Sequence, residues 1–311
     1  MPEISLIIPV SENSNTRDLE VLLRSISKQT LKDIEVLVVT SRALTVQTDW
    51  PRVSVVSCPR DCGASASRNQ AAQVSKGEIL GFLDDDVVLD PKWCEAAANS
   101  LEDVSVGLVS GAAWVDLNGV GLDYIPKELL WVVGGSYLDE SQTSLISGAM
   151  GMNLCVRKES FQRVGGYNVL MGPCGDRPES KRWMRLGAEE DDLALRISGL
   201  CGERVLFNPR MVARHKLRRN SATPKSILKR SLHVGHNRAY IHLTFPREGS
   251  ETDQVVLRKL VVSTLSAVLV IPRNPLGVWK RLSLISIVSV GFALGYLVGS
   301  FRFRVLRRSQ S

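Results

Sequence analysis

"EILGFLDDDVVLDP", residues 78–91, sets a short apolar run against three consecutive carboxylates and closes on a proline. Ile79, Leu80, Phe82 and Leu83 have the length and composition of a buried strand. Asp84, Asp85 and Asp86 then repel one another, and packing alone gives no reason for their company. Their place in the pattern gives one. Ligands of open α/β sheets gather outside the carboxyl ends of the strands, which is where these carboxylates stand. In an extended segment Asp84 and Asp86 project to one side and Asp85 to the other. Two convergent carboxylates suit a hard divalent cation that also binds phosphate oxygens.

The residues before this stretch repeat one unit. "ISLIIPV" (4–10) reads as a buried strand. It is followed by "LEVLLRSISKQT" (19–30), with Leu19, Leu22, Leu23 and Ile26 at helical spacing. "IEVLVVT" (34–40) and "RVSVVSC" (52–58) read as second and third strands, and "SASRNQAAQVSKG" (65–77) as a small-residue helix closed by Gly77. Strands alternating with helices predict βαβ units: an α/β fold with a mostly parallel central sheet and helices on both faces.

The formal net charge of +7 conceals an asymmetry. Residues 1–209 carry 20 Lys/Arg against 29 Asp/Glu, and residues 210–311 carry 19 against 3. Such a split implies different partners at the two ends. The basic end has no zinc-finger spacing, RNP-like aromatic pattern or basic-region heptad, so no nucleic-acid partner is expected. The six cysteines, Cys58, Cys62, Cys94, Cys155, Cys174 and Cys201, contain no CxxC pair and match neither a zinc site nor a disulfide framework. "MPEISLIIPV" has no charged n-region or cleavage site, so no signal peptide is expected and the N-terminal part is assigned to a reducing cytoplasm.

A second acidic cluster occurs in "LGAEEDDLALRI" (186–197), where Leu193, Leu195 and Ile197 follow four acids. Acids in a first helical turn are favoured by the macrodipole. Beside the first cluster, they also suggest one acidic group for a metal and another for proton abstraction.

An ordered series of segments from about residue 4 to 240 resembles a family-2 glycosyltransferase with the GT-A fold. "SLIIPVSEN" (5–13) resembles the opening nucleotide-binding strand, and "LLRSISKQTLKDIEVLVV" (22–39) the first helix and second strand with the family's Q-T between them. "DCGASASRNQAAQVSKGEILGFLDDDVVLDP" (61–91) resembles the Ala-Arg-Asn segment leading into the DxD motif. "ISGAMGMNLCVRKESFQRVGGYN" (146–168) resembles the acceptor-side segment, and "GAEEDDLALRI" (187–197) the G-x-E-D-x-D-L motif. "NPRMVARHK" (208–216) and "HVGHNRA" (233–239) resemble the end of the catalytic domain.

The resemblance implies an inverting, nucleotide-sugar-dependent transferase of polysaccharide biosynthesis. Asp84 and Asp86 would serve ribose and metal, with Asp86 ligating Mg²⁺ or Mn²⁺ and His215 a second candidate ligand. Pro9, Arg68 and Asp85 would lie against the nucleotide-sugar. The family's general base falls on Glu190, with Asp191 and Asp192 as alternatives, because Glu stands where Asp is usual. The family commonly ends its second strand V-D-D-G-S, whose first aspartate reads the nucleobase. Here the strand ends "VVTSR", with Thr40 and Ser41, and base recognition must use other contacts.

"LSLISIVSVGFALGYLVGS" (282–300) holds 19 residues without a charge, about 28 Å as a helix. It is expected to span a membrane. Gly291, Gly295 and Gly299 repeat at the small-xxx-small spacing and offer a face on which a second copy could pack as a homo-oligomer. The shorter run 260–271 would lie in the interface or pair with the later helix. The expected organisation is a catalytic domain over 1–245 and a membrane-association region over 246–311, with the catalytic part cytoplasmic. The partners would be a nucleotide-sugar donor, a glycan or lipid-linked acceptor, and membrane lipid. The alternative is a catalytically inactive relative serving as a membrane-bound binding or assembly subunit.

Overall fold

The computed structural model describes residues 3–308, except 13, 47–49, 51, 60–61, 116–124, 126, 137–141, 173–186, 218–222, 247–257, 259–260, 263 and 266–274. The chain forms two compact units, one of residues 1–114 and 138–215, the other of 115–137 and 216–311. The division falls at residue 215 rather than at the expected 245, and the second unit also takes in residues 115–137.

The first unit is built on a nine-stranded sheet. Strand β1 (Ile4–Val10) is central to its parallel half, flanked by β2 (Ile34–Thr40) and β4 (Ile79–Leu83), with β3 (Val53–Ser57) outside β2. Alternation along β1 feeds two cores. Ile4, Leu6, Ile8 and Val10 pack with α1 (Thr16–Ser27) and α3 (Trp93–Leu101). Ile7 packs on the other face with α2 (Gly63–Val74), α4 (Lys158–Arg163) and α5 (Glu189–Arg196). Helix α1 starts where the Asn15 side chain accepts from the Arg17 N–H at 3.0 Å. It buries Leu19, Leu22, Leu23 and Ile26 as its spacing predicts.

The rest of the sheet corrects the expectation of a mostly parallel one. Strand β8 (Asn153–Arg157) runs antiparallel to β4 and to β6 (Val106–Val115). The short β5 (Val87–Leu89) and β7 (Ser144–Leu145) run antiparallel to β9 (Arg204–His215). The sheet is therefore mixed, with the order β3-β2-β1-β4-β8-β6-β9-β5. Helical crossovers, which impose parallel pairing, are confined to the N-terminal half.

Two polar devices fix this second half. Asn153 is fully buried and accepts from the Trp93 indole N–H at 2.7 Å. Its amide donates to the carbonyls of Ala112 at 2.8 Å and Met211 at 2.9 Å, so one side chain joins β6, β8, β9 and α3. The Gln29–Thr30 pair does similar work where α1 ends. Gln29, also fully buried, donates to Asp90 O at 2.7 Å and accepts from the Cys94 N–H at 2.9 Å. The Thr30 N–H bonds Pro91 O at 2.8 Å. The chain leaving the acidic turn is thus clamped within five residues of Asp86.

The second unit contains a 3₁₀ helix (Lys127–Val133), α6 (Pro224–Thr244) and α7 (Pro275–Arg308). Its core gathers Leu129, Val132 and Val133 with Ile227, Leu284, Ile285 and Val288. Helices α6 and α7 run parallel. A Cβ at Gly291 would stand 2.8 Å from the Ser231 Cβ, and one at Gly299 2.8 Å from that of Ala239. At Gly295 it would strike the Leu232 carbonyl, and at Gly235 the Phe292 carbonyl. The glycine face is therefore covered by α6 of the same chain. The stripe on which a second copy was expected to pack thus serves an intramolecular close approach in this chain. The apolar run 260–271 lies largely outside the described residues.

Replacing Asn153 by alanine removes the partner of a buried indole N–H and one partner each of the Ala112 and Met211 carbonyls. The variant should lose about 3 kcal/mol or more of stability, read as a lowered denaturation midpoint of the detergent-solubilised chain. A loss below about 1 kcal/mol would show that the network is dispensable.

Candidate active site

Three segments converge at the carboxyl end of β4. The first is the turn Asp84–Asp86, which joins β4 to β5. Asp85 and Asp86 lie in a turn, so the alternation expected of an extended segment does not operate. Each outer carboxylate has its own partner instead. Asp84 Oδ1 is 3.3 Å from Arg68 Nη2, and Asp86 Oδ1 is 3.5 Å from His215 Nε2. The strand register explains the second contact. His215 ends β9 opposite Val87, the residue after Asp86.

The second segment is α2, which carries Arg68. Its side chain is only 5% exposed and meets three carboxylates: Asp84, Glu190 at 3.0 Å, and Glu189 at 3.6 Å. It also reaches the Gly151 carbonyl at 3.5 Å and lies over the Tyr167 ring, 5.2 Å from the centroid. Burial by itself would lower the Arg68 pKa, but the surrounding groups outweigh it and hold the guanidinium charged. Arg68, expected against the nucleotide, is committed in this structure to the acids.

The third segment is the first turn of α5. Burial, reinforced by Glu189 and opposed by Arg68, pushes the Glu190 carboxyl well above its ordinary range. Burial raises Glu189 as well, against the pull of Arg68. Asp191 Oδ1 accepts from the Ala149 N–H at 3.2 Å. Asp192 is turned away, with Oδ2 2.6 Å from Arg196 Nη2 and 2.8 Å from its Nε. Two glycines of the 146–168 segment make this crowding feasible. A Cβ at Gly151 would collide with Glu190 Oε1, and one at Gly148 with Asp191 Oδ1. Ala188 enters the helix at φ 71°, the one non-glycine positive φ among the described residues. It carries strain of about 1–2 kcal/mol beside the acids.

The expected residues thus fall into three groups. Asp84, Arg68 and Glu190 are brought together, and Asp86 and His215 form a second pair. Asp191 holds a backbone amide, Asp192 stands apart, and Pro9 sits in β1 opposite Val39. Glu189 and Tyr167 are additions. Glu189 was in view as one of four acids, whereas nothing local in the sequence marks the Tyr167 ring as the floor under Arg68. Among the described residues no group of three or more His, Cys, Asp and Glu side chains forms a closed metal cage. An open pair of one carboxylate and one imidazole does fit Mg²⁺ or Mn²⁺ when phosphate oxygens complete the coordination.

A half-parallel, half-antiparallel sheet with acids from the β4–β5 turn and the α5 N-terminus defines a GT-A nucleotide-sugar glycosyltransferase. The chain belongs to glycosyl transferase family 2, whose model matches residues 5–165. It is 22% identical over 315 residues to the glucosyl-dolichyl phosphate glucuronosyltransferase of Haloferax volcanii, covering 96% of each chain. It is 28% identical over 176 residues to a glycosyltransferase of Haemophilus influenzae, covering 54% of this chain and 57% of that one.

Solved structures share the fold at 16% identity. A mannosyltransferase of Pyrobaculum calidifontis in complex with GDP-Man and Mn²⁺ superposes with a TM-score of 0.56, covering 94% of this chain and 87% of the other. GalNAc-T7 with UDP, GalNAc and Mn²⁺ gives 0.55, covering 79% and 51%.

Removing the Arg68 charge should expose its balancing role. Arg68→Met leaves three carboxylates without their cation, at a cost of about 3–5 kcal/mol at pH 8. Folded Glu189 and Glu190 bind protons more tightly than unfolded ones, so stability falls as pH rises through their raised range. The variant's deficit should therefore shrink at pH 5, near the unfolded carboxylate range, as read by denaturation at both pH values. An equal deficit at the two would contradict the electrostatic account.

Proposed function

We propose that the chain is a metal-dependent, inverting transferase that moves a sugar from a nucleotide-sugar to a lipid-linked acceptor at a membrane surface. The observation that carries this reading is the buried Arg68, which ties the donor-side turn to the acid at the start of α5. The full-length likeness to a glucosyl-dolichyl phosphate glucuronosyltransferase supports the lipid-linked acceptor. Neighbours solved with Mn²⁺ and a nucleotide or nucleotide-sugar support the donor and metal.

Asp86 and His215 hold the metal, and Asp84 contacts the ribose. Pro9 and Asp85 line the donor side, with Arg68 behind Asp84. A bound Mg²⁺ or Mn²⁺ supplies Lewis-acid charge for a leaving diphosphate. Glu190 takes the proton from the acceptor hydroxyl as its oxygen bonds to the anomeric carbon and the bond to the diphosphate breaks on the opposite face. Inversion follows from that single displacement. Glu190 is preferred because the arginine it meets also meets Asp84, whereas Asp192 turns away to Arg196 and Asp191 holds the Ala149 amide. Its raised pKa brings it nearer the working range of a general base. We assign transfer to the first unit and membrane association to the second, with the catalytic part on the cytoplasmic side. Among the described residues one helix, over Gly277–Val305, is long and apolar enough to cross a membrane, which supports the association.

Calorimetry of the detergent-solubilised protein against UDP- and GDP-sugars, with and without Mn²⁺, tests the donor side. One donor should bind only with metal, and Asp86→Ala should abolish that binding. No binding of any donor to folded protein would overturn the reading.

Glu190→Gln should keep donor binding and lose transfer by about 10²- to 10⁴-fold. In the unaltered enzyme, kcat/KM should fall as pH drops through the raised range of Glu190. An acid limb down at an ordinary carboxylate pKa would remove Glu190 as the base.

A further inference from the structure

Helix α7 has two unlike long faces. One holds Leu284, Ile285, Val288, Gly291, Gly295 and Gly299 and is buried within the second unit. The other exposes Val290, Leu294, Leu297, Val298, Phe301 and Val305, with Phe301 76% and Leu297 64% accessible. These positions recur at three- and four-residue intervals, so they form one continuous apolar stripe. Trp279, 69% accessible, precedes it beside Lys280, and Arg302 and Arg304 stand at its far end.

The partner helix has the opposite character. Helix α6 carries Lys225, Lys229, Arg230, His233, His236, Arg238 and His242 and no acid. Lys225, Lys229 and His233 are exposed. Because the helices run parallel, their levels can be matched. Leu228 and Ser231 meet Gly291, and Leu232 meets Gly295. Lys229 and His233 therefore stand level with the middle of the Gly277–Val305 span. Were α7 to cross a bilayer, its tightly packed companion would carry the exposed Lys229 ammonium and the polar His233 ring into the hydrocarbon centre. That is the depth at which such groups are least tolerated. Laid along the surface, the same pair is consistent with lipid physics. The apolar stripe enters the acyl boundary, Trp279 and the flanking arginines sit at headgroup level, and the α6 cations meet anionic headgroups.

We infer that the α6–α7 pair is a monotopic membrane-seating surface, lying in the plane of an anionic leaflet rather than spanning it. This rests on the membrane association proposed above and is the alternative to the spanning helix expected from the composition of residues 282–300. Charge complementarity identifies the occupant: residues 210–311 hold 19 Lys/Arg against 3 Asp/Glu.

Electron paramagnetic resonance depth measurements on the full chain bound to vesicles can test it. Spin labels carried by an encoded non-canonical residue at 290, 294, 297 and 301 leave the native cysteines in place. In-plane seating places all four at one shallow depth, with labels at 229 and 233 in the headgroup region. Labels at 280 and 304 then lie on the same side of the membrane. A spanning helix would put the label at 294 near the midplane and those at 280 and 304 on opposite sides, which would overturn the inference alone.

Lys225→Glu with Lys229→Glu should weaken binding to vesicles containing phosphatidylglycerol by about 5-fold or more per site and leave binding to neutral vesicles unchanged. An equal effect on both vesicle types would also overturn it. Absence of vesicle binding by folded protein would remove the membrane reading itself. A stripe covered by a second copy in lipid-free solution, seen as a stable dimer with labels shielded from water, would replace the lipid with that copy.

Discussion

Everything in the acidic site depends on one buried guanidinium. Three carboxylates lie within ion-pair reach of Arg68, and two of them belong to consecutive residues of one helix. Without a cation among them, burial would protonate the acids or drive them apart. Arginine suits the role because its charge cannot be removed by burial and its planar fork reaches several oxygens at once. A lysine would offer one compact charge and could itself deprotonate there. The Tyr167 ring beneath the guanidinium contributes further by presenting a π-face to the cation.

The same constraint explains why surrounding positions are small or tightly tied. Gly148 and Gly151 bring the loop before β8 against α5 more closely than a side chain permits. The Gln29 and Thr30 bonds hold the chain just beyond the acidic turn. Asn153 locks the strand that follows the glycine loop. A carboxylate raised by burial and steadied by an arginine is useful only if its position is held to a fraction of an ångström. These backbone clamps supply that rigidity from outside the acids themselves.

The parallel half of the sheet was legible because its information is local. Apolar runs at 4–10, 34–40 and 79–83 and the stripe of α1 each declare their state within a dozen residues. The antiparallel half was not. Strand β9 contains Asn208, Pro209 and Arg210 and follows no clean alternation, and it pairs with β5 more than a hundred residues earlier. The acidic turn shows the limit of a local rule, since alternation assumes an extended chain and Asp85 and Asp86 turn instead. The resemblance brought Asp84, Arg68 and Glu190 into view separately. That Arg68 faces the acids is a property of packing among α2, the turn and α5, which no spacing along the chain encodes.

The glycine stripe of α7 carries the same lesson. Its spacing announced a close helix–helix contact but could not name the partner. A Gly-rich face in an uncharged run suggests two equivalent membrane helices, whereas the structure fills it with a cationic helix from sixty residues upstream. That substitution changes what the run can do. An apolar helix alone has a hydrophobic circumference and finds its lowest energy across a bilayer. Bound tightly to α6 it becomes one side of an amphipathic pair, whose apolar face is a stripe and whose opposite side is charged. The charge asymmetry of the chain then has a physical division of labour. The acidic first unit gathers carboxylates around one buried arginine, while the basic second unit carries the cations that the proposed seating would turn to an anionic surface.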